Sequence, residues 1–190
     1  MSPFGSRHTK GISMGNKKDR NEKQGKLHAM RVRLFQMLCA LDGAGAMAQA
    51  EIESRLEPLF TDGAPAASTA PDGADDGNAG GEIADEENGL LPPVGSDEFR
   101  ALCADASSLR ARLDEIDDVI TKHSSSWRLD RMSLVDRTAI RLAVYECVID
   151  KRVPVGVAIS EAVIIAKEFG SEESPRFVNG ILAKVALAKG

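Results

Sequence analysis

The sequence predicts an all-α fold, a compact bundle of about six or seven helices. Aromatic residues make up only 4% of a chain that is 43% hydrophobic. The core must therefore be aliphatic, which suits packed helices better than a sandwich of short strands. Apolar residues recur every three or four positions in several segments, and no segment shows the two-residue alternation of a half-buried strand.

The first helix is expected to begin at Lys26, where the apolar period starts, and to end at Gly43. Three cations of this segment, Lys26, Arg31 and Arg33, fall outside its apolar stripe. The members of the stripe are Leu27, Met30, Leu34, Met37, Leu38 and Leu41. A second, shorter helix is expected over 47–60.

The next segments carry helix signals of the same kind. One long helix is expected from Ser96 to Lys122, with the Ser96 side chain as its N-cap. Ser133 and Asp136 have the spacing of a capping box, with Asp in place of Glu or Gln, and so predict another helix start. Leu134 is expected to face inward from that helix.

The last two helices are separated by a glycine and a cluster of charges. Gly170 is expected to end one helix in the left-handed conformation. Ser174 is expected to cap the next helix, with Pro175 at its first position. Gly180 lies inside that last helix, where glycine costs about 1 kcal/mol relative to alanine, and close helix packing is the expected reason for it.

Charge is distributed unevenly along the chain. Residues 1–40 carry nine Lys and Arg against two Asp and Glu, a net charge of +7, whereas residues 41–102 carry two against fourteen, a net charge of −12. Residues 1–25 show no apolar period and are predicted to be a disordered basic tail. Residues 61–96, rich in Gly, Ala, Pro and acids, are predicted to be a disordered acidic insertion. A basic tail on an acidic chain indicates either a polyanion partner or a solvated segment, and charge alone leaves both open.

Catalytic motifs occur only where their structural context is missing. Residues 11–15 match the GxSxG pattern of hydrolase nucleophiles, and residues 43–48 match the GxGxxA pattern of dinucleotide-binding folds. Neither follows a predicted strand, so neither can form the turn that the chemistry requires. We therefore expect no enzyme activity and no cofactor.

The cysteines and histidines predict no metal site. Cys39, Cys103 and Cys147 form no CxxC pair and are odd in number, which is typical of buried, reduced thiols in a cytoplasmic protein. The three histidines lack ligand spacing. No apolar run approaches the roughly 18 residues of a membrane span, and no secretory signal is visible at the start.

Four sequence blocks occur together in the second half of the chain. They are AVYE at 143–146, PxxVAIxEAV at 154–163, AKxFG at 166–170 and SxxFVNGxL at 174–182. In this order they resemble the NusB family of bacterial transcription antitermination proteins. The first helix is similar to the opening helix of that family at Arg31, Gln36 and Leu38, while Cys39 stands where Tyr is usual. The resemblance defines one NusB-like domain over 26–60 and 97–190.

The resemblance implies an RNA-binding antitermination factor. Such a protein would bind boxA-type single-stranded RNA of ribosomal RNA operons together with a small-subunit ribosomal protein, the Nus-factor E partner. The pair would then help the RNA polymerase elongation complex to read through terminators. The alternative is a helical protein–protein adaptor that has lost specific RNA recognition. A homodimer is also left open, because an exposed apolar face can hold a second copy.

The resemblance also implies which residues meet RNA. The junction between the last two helices contributes Phe169, Glu173, Arg176 and Phe177. The basic opening segment contributes Lys23, Lys26, Arg31 and Arg33. Cations can hold the phosphate backbone and flat rings can stack on bases. Core packing of Phe169 and Phe177 is the alternative for the two rings.

For the protein partner, the resemblance implies the helix that contains Asp136 and Arg137. In that family an acid at this position meets the basic ribosomal protein. The alternative for Asp136 is the capping role at the start of its own helix.

Overall fold

The computed structural model describes residues 15–44, 46–60, 94–124 and 128–188. Within these ranges the chain forms seven α-helices and no strand, which confirms the all-α prediction. The helices are α1 (Gly15–Ala40), α2 (Gln49–Phe60), α3 (Ser96–Arg110), α4 (Leu113–His123), α5 (Leu134–Val144), α6 (Val155–Phe169) and α7 (Ser174–Leu187). A 3-10 turn covers Leu129–Arg131, and a π-helical turn, Tyr145–Ile149, continues directly from α5.

The core is aliphatic, as the composition predicts. Helix α5 packs against α1, α4, α6 and α7, so it lies at the centre of the bundle, and α1 also packs against α3. The largest fully buried side chains come from α1 to α7 and are Met37, Leu41, Ile52, Leu56, Leu102, Leu109, Ile116, Ile120, Ile140, Ile165, Val144 and Val178. Each such side chain stabilises the fold by about 1.5–3 kcal/mol relative to an exposed one.

Helix α1 is longer than its apolar period indicates. It begins at Gly15 rather than at Lys26, so residues 15–25 of the predicted disordered tail are helical. Residues 19–26 are all exposed. They carry no apolar stripe to reveal a helix, although Lys, Arg, Glu and Gln are good helix formers. The predicted end is confirmed, because Gly43 turns the chain with a φ of +78°, a conformation that favours glycine.

The segment expected as one helix over 96–122 is two helices. Helix α3 ends at Arg110 and α4 begins at Leu113. The apolar stripe continues across the break from Leu109 to Ile116, so the periodicity could not show it. Ser96 is the first residue of α3 rather than its cap, because Gly95 takes the N-cap position without a side-chain hydrogen bond.

The start of α5 follows one prediction and contradicts another. The Ser133 hydroxyl accepts a hydrogen bond from the backbone N–H of Asp136 at 3.0 Å, which confirms the predicted cap. Leu134 is 38% exposed, so its expected inward position is wrong. First-turn positions precede the packed part of α5, where Ile140, Ala143 and Val144 are buried.

The predicted insertion 61–96 falls mostly on residues 61–93, which lie outside the described residues. The residues on either side of this insertion contact each other. The Val94 N–H donates to the Phe60 carbonyl at 3.4 Å, and the Phe60 and Phe99 rings lie 6.5 Å apart. Val94 is buried and Ser96 is already helical, so the domain resumes before 97.

The three cysteines are free thiols. Cys103 is buried, and Cys39 and Cys147 are partly buried. Burial raises the pKa of Cys39 and of Cys103 to about 11. A raised pKa keeps these thiols protonated and poorly nucleophilic.

Candidate nucleic-acid interface

The first candidate region is the start of α1, residues 19–27, called the arm below, and all nine residues are exposed. Arg20, Lys23 and Lys26 are exposed there, together with the acids Asp19 and Glu22. Long cationic side chains on a single protruding helix are free to turn toward a phosphate backbone. Lys23 and Lys26, expected to contact RNA, therefore lie where such a contact is physically possible.

The second candidate region is the connection between α6 and α7, residues 169–177, called the junction below. Phe169 packs on Phe35 of α1, with ring centroids 5.4 Å apart. His28 of α1 lies with its Nδ1 2.7 Å from Glu161 Oε2 and its Nε2 4.0 Å from Glu168 Oε2. Helix α1 thus contacts α6 at Glu161 and Glu168 and the junction at Phe169.

Gly170 shapes the junction by close approach rather than by a left-handed turn. Its φ of −102° and ψ of −171° are extended, so the predicted conformation is wrong. A Cβ at this position would lie 2.6 Å from the Ala166 carbonyl oxygen and from the Cβ and Oγ of Ser174. Only glycine allows α7 to start this close to the end of α6.

Ser174 is a buried residue that holds the backbone of the junction in place. It is 2% exposed, and its Oγ accepts a hydrogen bond from the Ser171 N–H at 3.0 Å. The predicted N-cap position is wrong by one residue, because Glu173 is the N-cap and Ser174 is the first residue of α7. The serine instead fixes the chain between the two helices.

The junction side chains expected to meet RNA fall into two groups. Arg176 and Glu173 are exposed. Phe169 and Phe177 are partly buried and pack against the core. Both alternatives for the two rings therefore remain physically possible, since each ring has one covered and one accessible part.

Arg31 and Arg33 are placed differently from their expectation. The Arg31 Nε donates to both oxygens of Glu146, at 3.0 and 2.9 Å, and its side chain is 12% exposed. Arg33 is 7% exposed, and burial lowers the pKa of its guanidinium. The structure does not support an RNA contact by either residue. Helix α1 is covered on more than one side, so positions outside its apolar stripe are also enclosed.

Sequence reasoning assigned no site role to Glu146 and Glu161, which are buried and partly buried. It missed their partners on α1. Arg31 binds Glu146 and comes within 3.8 Å of Glu161, which also contacts His28. A glutamate inside the apolar run AVYECV was the available signal, because a buried carboxylate requires a partner.

The residues expected to meet a protein partner lie at the start of α5. Asp136 is 9% exposed, and its Oδ1 has no hydrogen-bond partner among the described residues. The Arg137 Nη2 donates to Asp42 at 2.9 Å. Arg137 lines an open groove together with Asp42, Arg110, Asp117 and Arg141.

Clusters of metal-ligating side chains and membrane-spanning helices are both absent from the described ranges. There, no group of three or more His, Cys, Asp and Glu side chains could hold a metal ion. None of the described helices has both the length and the apolar character needed to cross a bilayer.

Comparison with known sequences adds a family to this geometry. A family model described as NusB matches residues 78–187. The transcription antitermination protein NusB of Myxococcus xanthus is 49% identical over 80 residues, which cover 42% of this chain and 57% of that protein. The corresponding protein of Desulforudis audaxviator is 51% identical over 75 residues, 40% of this chain and 54% of that protein. The chain thus spans a little over half the length of the curated relatives it matches.

Comparison with solved structures extends the similarity beyond the aligned sequence. The structure of Thermotoga maritima NusB superposes with a TM-score of 0.58 at 27% sequence identity. The superposition covers 84% of this chain and 89% of that chain. It includes most of the bundle, whereas the alignments with the two relatives cover 42% and 40% of the chain.

Proposed function

The chain belongs to the NusB family, and from that membership we propose that it acts as a transcription antitermination factor. It binds boxA-type single-stranded RNA of ribosomal RNA operons. It does so together with a small-subunit ribosomal protein, the Nus-factor E partner. The complex acts in the cytoplasm on the RNA polymerase elongation complex and promotes read-through of terminators.

The observation that supports RNA binding most directly is the contact of α1, the helix that carries the arm, with α6 and with the junction. His28 reaches Glu161 and Glu168 near the end of α6, and the exposed lysines of the arm follow within two helical turns. Lys23, Lys26 and Arg176 are proposed to hold phosphates, because all three are exposed cations. A single strand is proposed to run from the arm to the junction.

The rings of the junction are proposed to hold bases. Phe177 lies one residue after Arg176 and is partly exposed, so a phosphate and a base of the same strand can be bound next to each other. Phe169, at the other end of the junction, is proposed to offer a second ring face. Glu173 is exposed at the start of α7, and its charge is proposed to weaken non-specific binding of other polyanions.

The ribosomal protein is proposed to dock at the start of α5. Arg137 is held toward Asp42, and the neighbouring Asp136 carboxylate retains an oxygen with unused acceptor capacity among the described residues. A basic partner could supply the missing donor if it displaced the residues that cover this oxygen. Asp136 and Arg137 are therefore proposed as the centre of the partner contact.

The test is a titration of a fluorescently labelled boxA-type RNA and of a scrambled RNA, each with and without the ribosomal protein. We expect weak binding of boxA-type RNA by the chain alone and tighter binding with the partner. Scrambled RNA should bind more weakly in both cases. Equal affinity for the two RNAs, with the ribosomal protein still captured, would instead favour the adaptor alternative.

A further inference from the structure

A buried ion-pair network joins α1 to the middle of the bundle. The Arg31 Nε bonds both oxygens of Glu146, and Arg31 Nη1 lies 3.8 Å from Glu161 Oε2. The side chains of Arg31, Glu146 and Glu161 are only 12%, 7% and 20% exposed. Buried charges of this kind persist only when they are paired, because an isolated one is costly to desolvate.

The bundle provides a specific place for the Arg31 side chain. Its surroundings include four alanines, Ala139 and Ala143 of α5 and Ala158 and Ala162 of α6. Small side chains at these positions leave a slot between the two helices. An arginine therefore lies where a packed core would otherwise have larger aliphatic groups.

The π-helical turn presents the anionic partner. Glu146 is the second residue of Tyr145–Ile149, and the Val153 N–H donates to its carbonyl oxygen at 3.3 Å. A π turn changes the direction of the side chains that follow it, and such turns often occur at functional positions. Here the altered turn contains Glu146, whose carboxylate accepts both hydrogen bonds of the Arg31 Nε.

The network continues toward the arm. One turn before Arg31, His28 shares Glu161 with it, at 2.7 Å from Nδ1 to Oε2. Two successive turns of α1 are thus attached to α6. Lys26 and Lys23 lie five and eight residues before Arg31, about 7 and 12 Å further along the helix axis. The direction of this exposed segment is set at its last attached turns.

We infer that Arg31 is a positioning residue that fixes the direction of the arm through Glu146 and Glu161, and that it contacts no phosphate. This inference rests on the proposed RNA-binding function. A guanidinium already paired with a buried carboxylate does not neutralise a phosphate and so releases no counterion from the RNA. Its removal should therefore weaken RNA binding without changing the number of phosphates that are neutralised.

The test compares Arg31→Met with the matched control Lys26→Met, using a labelled boxA-type RNA over a series of salt concentrations. For Lys26→Met we expect the slope of log affinity against log salt to fall by about 0.7, the value for one phosphate on a single strand. For Arg31→Met we expect an affinity loss of about tenfold, the size of one lost ordering contribution, with the slope unchanged. A slope reduced by about 0.7 in Arg31→Met would overturn the inference, as would unchanged affinity.

A second variant covers the case in which Arg31→Met fails to fold. Arg31→Met combined with Glu146→Gln removes the unpaired carboxylate as well, and the same affinity loss and unchanged slope are expected of it. Arg31→Lys should restore part of the affinity.

Hydrogen exchange measured without RNA distinguishes the positioning role of Arg31 from the proposed RNA-binding function. If Arg31 positions the arm, amides 19–27 exchange faster in Arg31→Met than in Lys26→Met. Equal exchange overturns the positioning role. Faster exchange combined with no RNA binding by the unmodified chain overturns the proposed function alone.

Discussion

The arm and the junction are the two ends of the proposed RNA surface, and they are built in opposite ways. The arm is a single exposed stretch of helix with no apolar residue buried between 19 and 27. The junction is dense, with a buried serine, a glycine that has no room for a Cβ, and a phenylalanine packed on α1. An exposed helix is thus sufficient to present cationic side chains. The position of the phenylalanine rings and of the α7 start, in contrast, requires close packing.

The largest effect on stability is expected from Gly170→Ala in the junction. The added Cβ would lie 2.6 Å from a backbone oxygen and from Ser174, so the backbone must move. We expect a loss of about 1–3 kcal/mol in the free energy of unfolding, measured by denaturant titration. Gly180→Ala is the matched control, because no atom lies within 4 Å of its added Cβ, and the close helix packing expected at Gly180 is therefore wrong. It should stabilise the helix by up to about 1 kcal/mol. Equal effects of the two substitutions would show that the junction is not tightly packed.

Replacement of Phe177 by alanine distinguishes the two roles of that ring. If it stacks on a base, RNA affinity falls by about 1–3 kcal/mol. If it serves only the core, the melting temperature falls and RNA affinity is retained. We expect the loss of affinity, measured by fluorescence anisotropy with the labelled RNA. A lower melting temperature alone would remove Phe177 from the RNA surface.

Arg176→Ala tests the charged part of the junction. We expect weaker binding and a salt dependence reduced by about 0.7 in slope, because one phosphate contact is lost. Lys184→Ala is its control, an exposed cation of the same helix in the last turn. It should leave both quantities unchanged. An equal effect of the two substitutions would indicate general attraction by charge rather than a contact at the junction.

The smallest effect on stability is expected from Gly25→Ala in the arm. Gly25 has no atom within 4 Å of an added Cβ, so Gly25→Ala introduces no clash. The gain is one of helix propensity, below about 1 kcal/mol. It should appear as slower hydrogen exchange over 19–27 with little change in the global free energy of unfolding. A destabilised protein would mean that the arm is packed more closely than its exposure indicates.

The sequence predicts the junction better than the arm, for physical reasons. Residues 169–177 lie in the sequence blocks described above, where a glycine interrupts one helix and a serine and a proline favour the start of the next, so the position of the connection follows from them. The need for glycine at position 170 could not be predicted from the sequence. It depends on the close approach of Ala166 and Ser174, which exists only in the folded structure. Ser133 was correctly predicted as a cap, because capping is a local interaction.

Non-local features of α1 were the hardest to predict. Periodicity reports apolar residues, so it missed the polar helical turns at 15–25 and could not show that Arg31 and Arg33 are enclosed. Burial of an arginine depends on a distant carboxylate, here one that lies 115 positions away in Glu146. The break between α3 and α4 was hidden because the apolar stripe continues across it.

The most direct test of a single RNA surface is hydrogen exchange of the chain with the ribosomal protein, with and without boxA-type RNA. If the arm and the junction bind one strand, amides 19–27 and 171–177 become protected together when RNA is added. Both regions should also lose that protection together as salt is raised. Protection confined to one region, with the other unchanged at saturating RNA, would contradict a continuous surface.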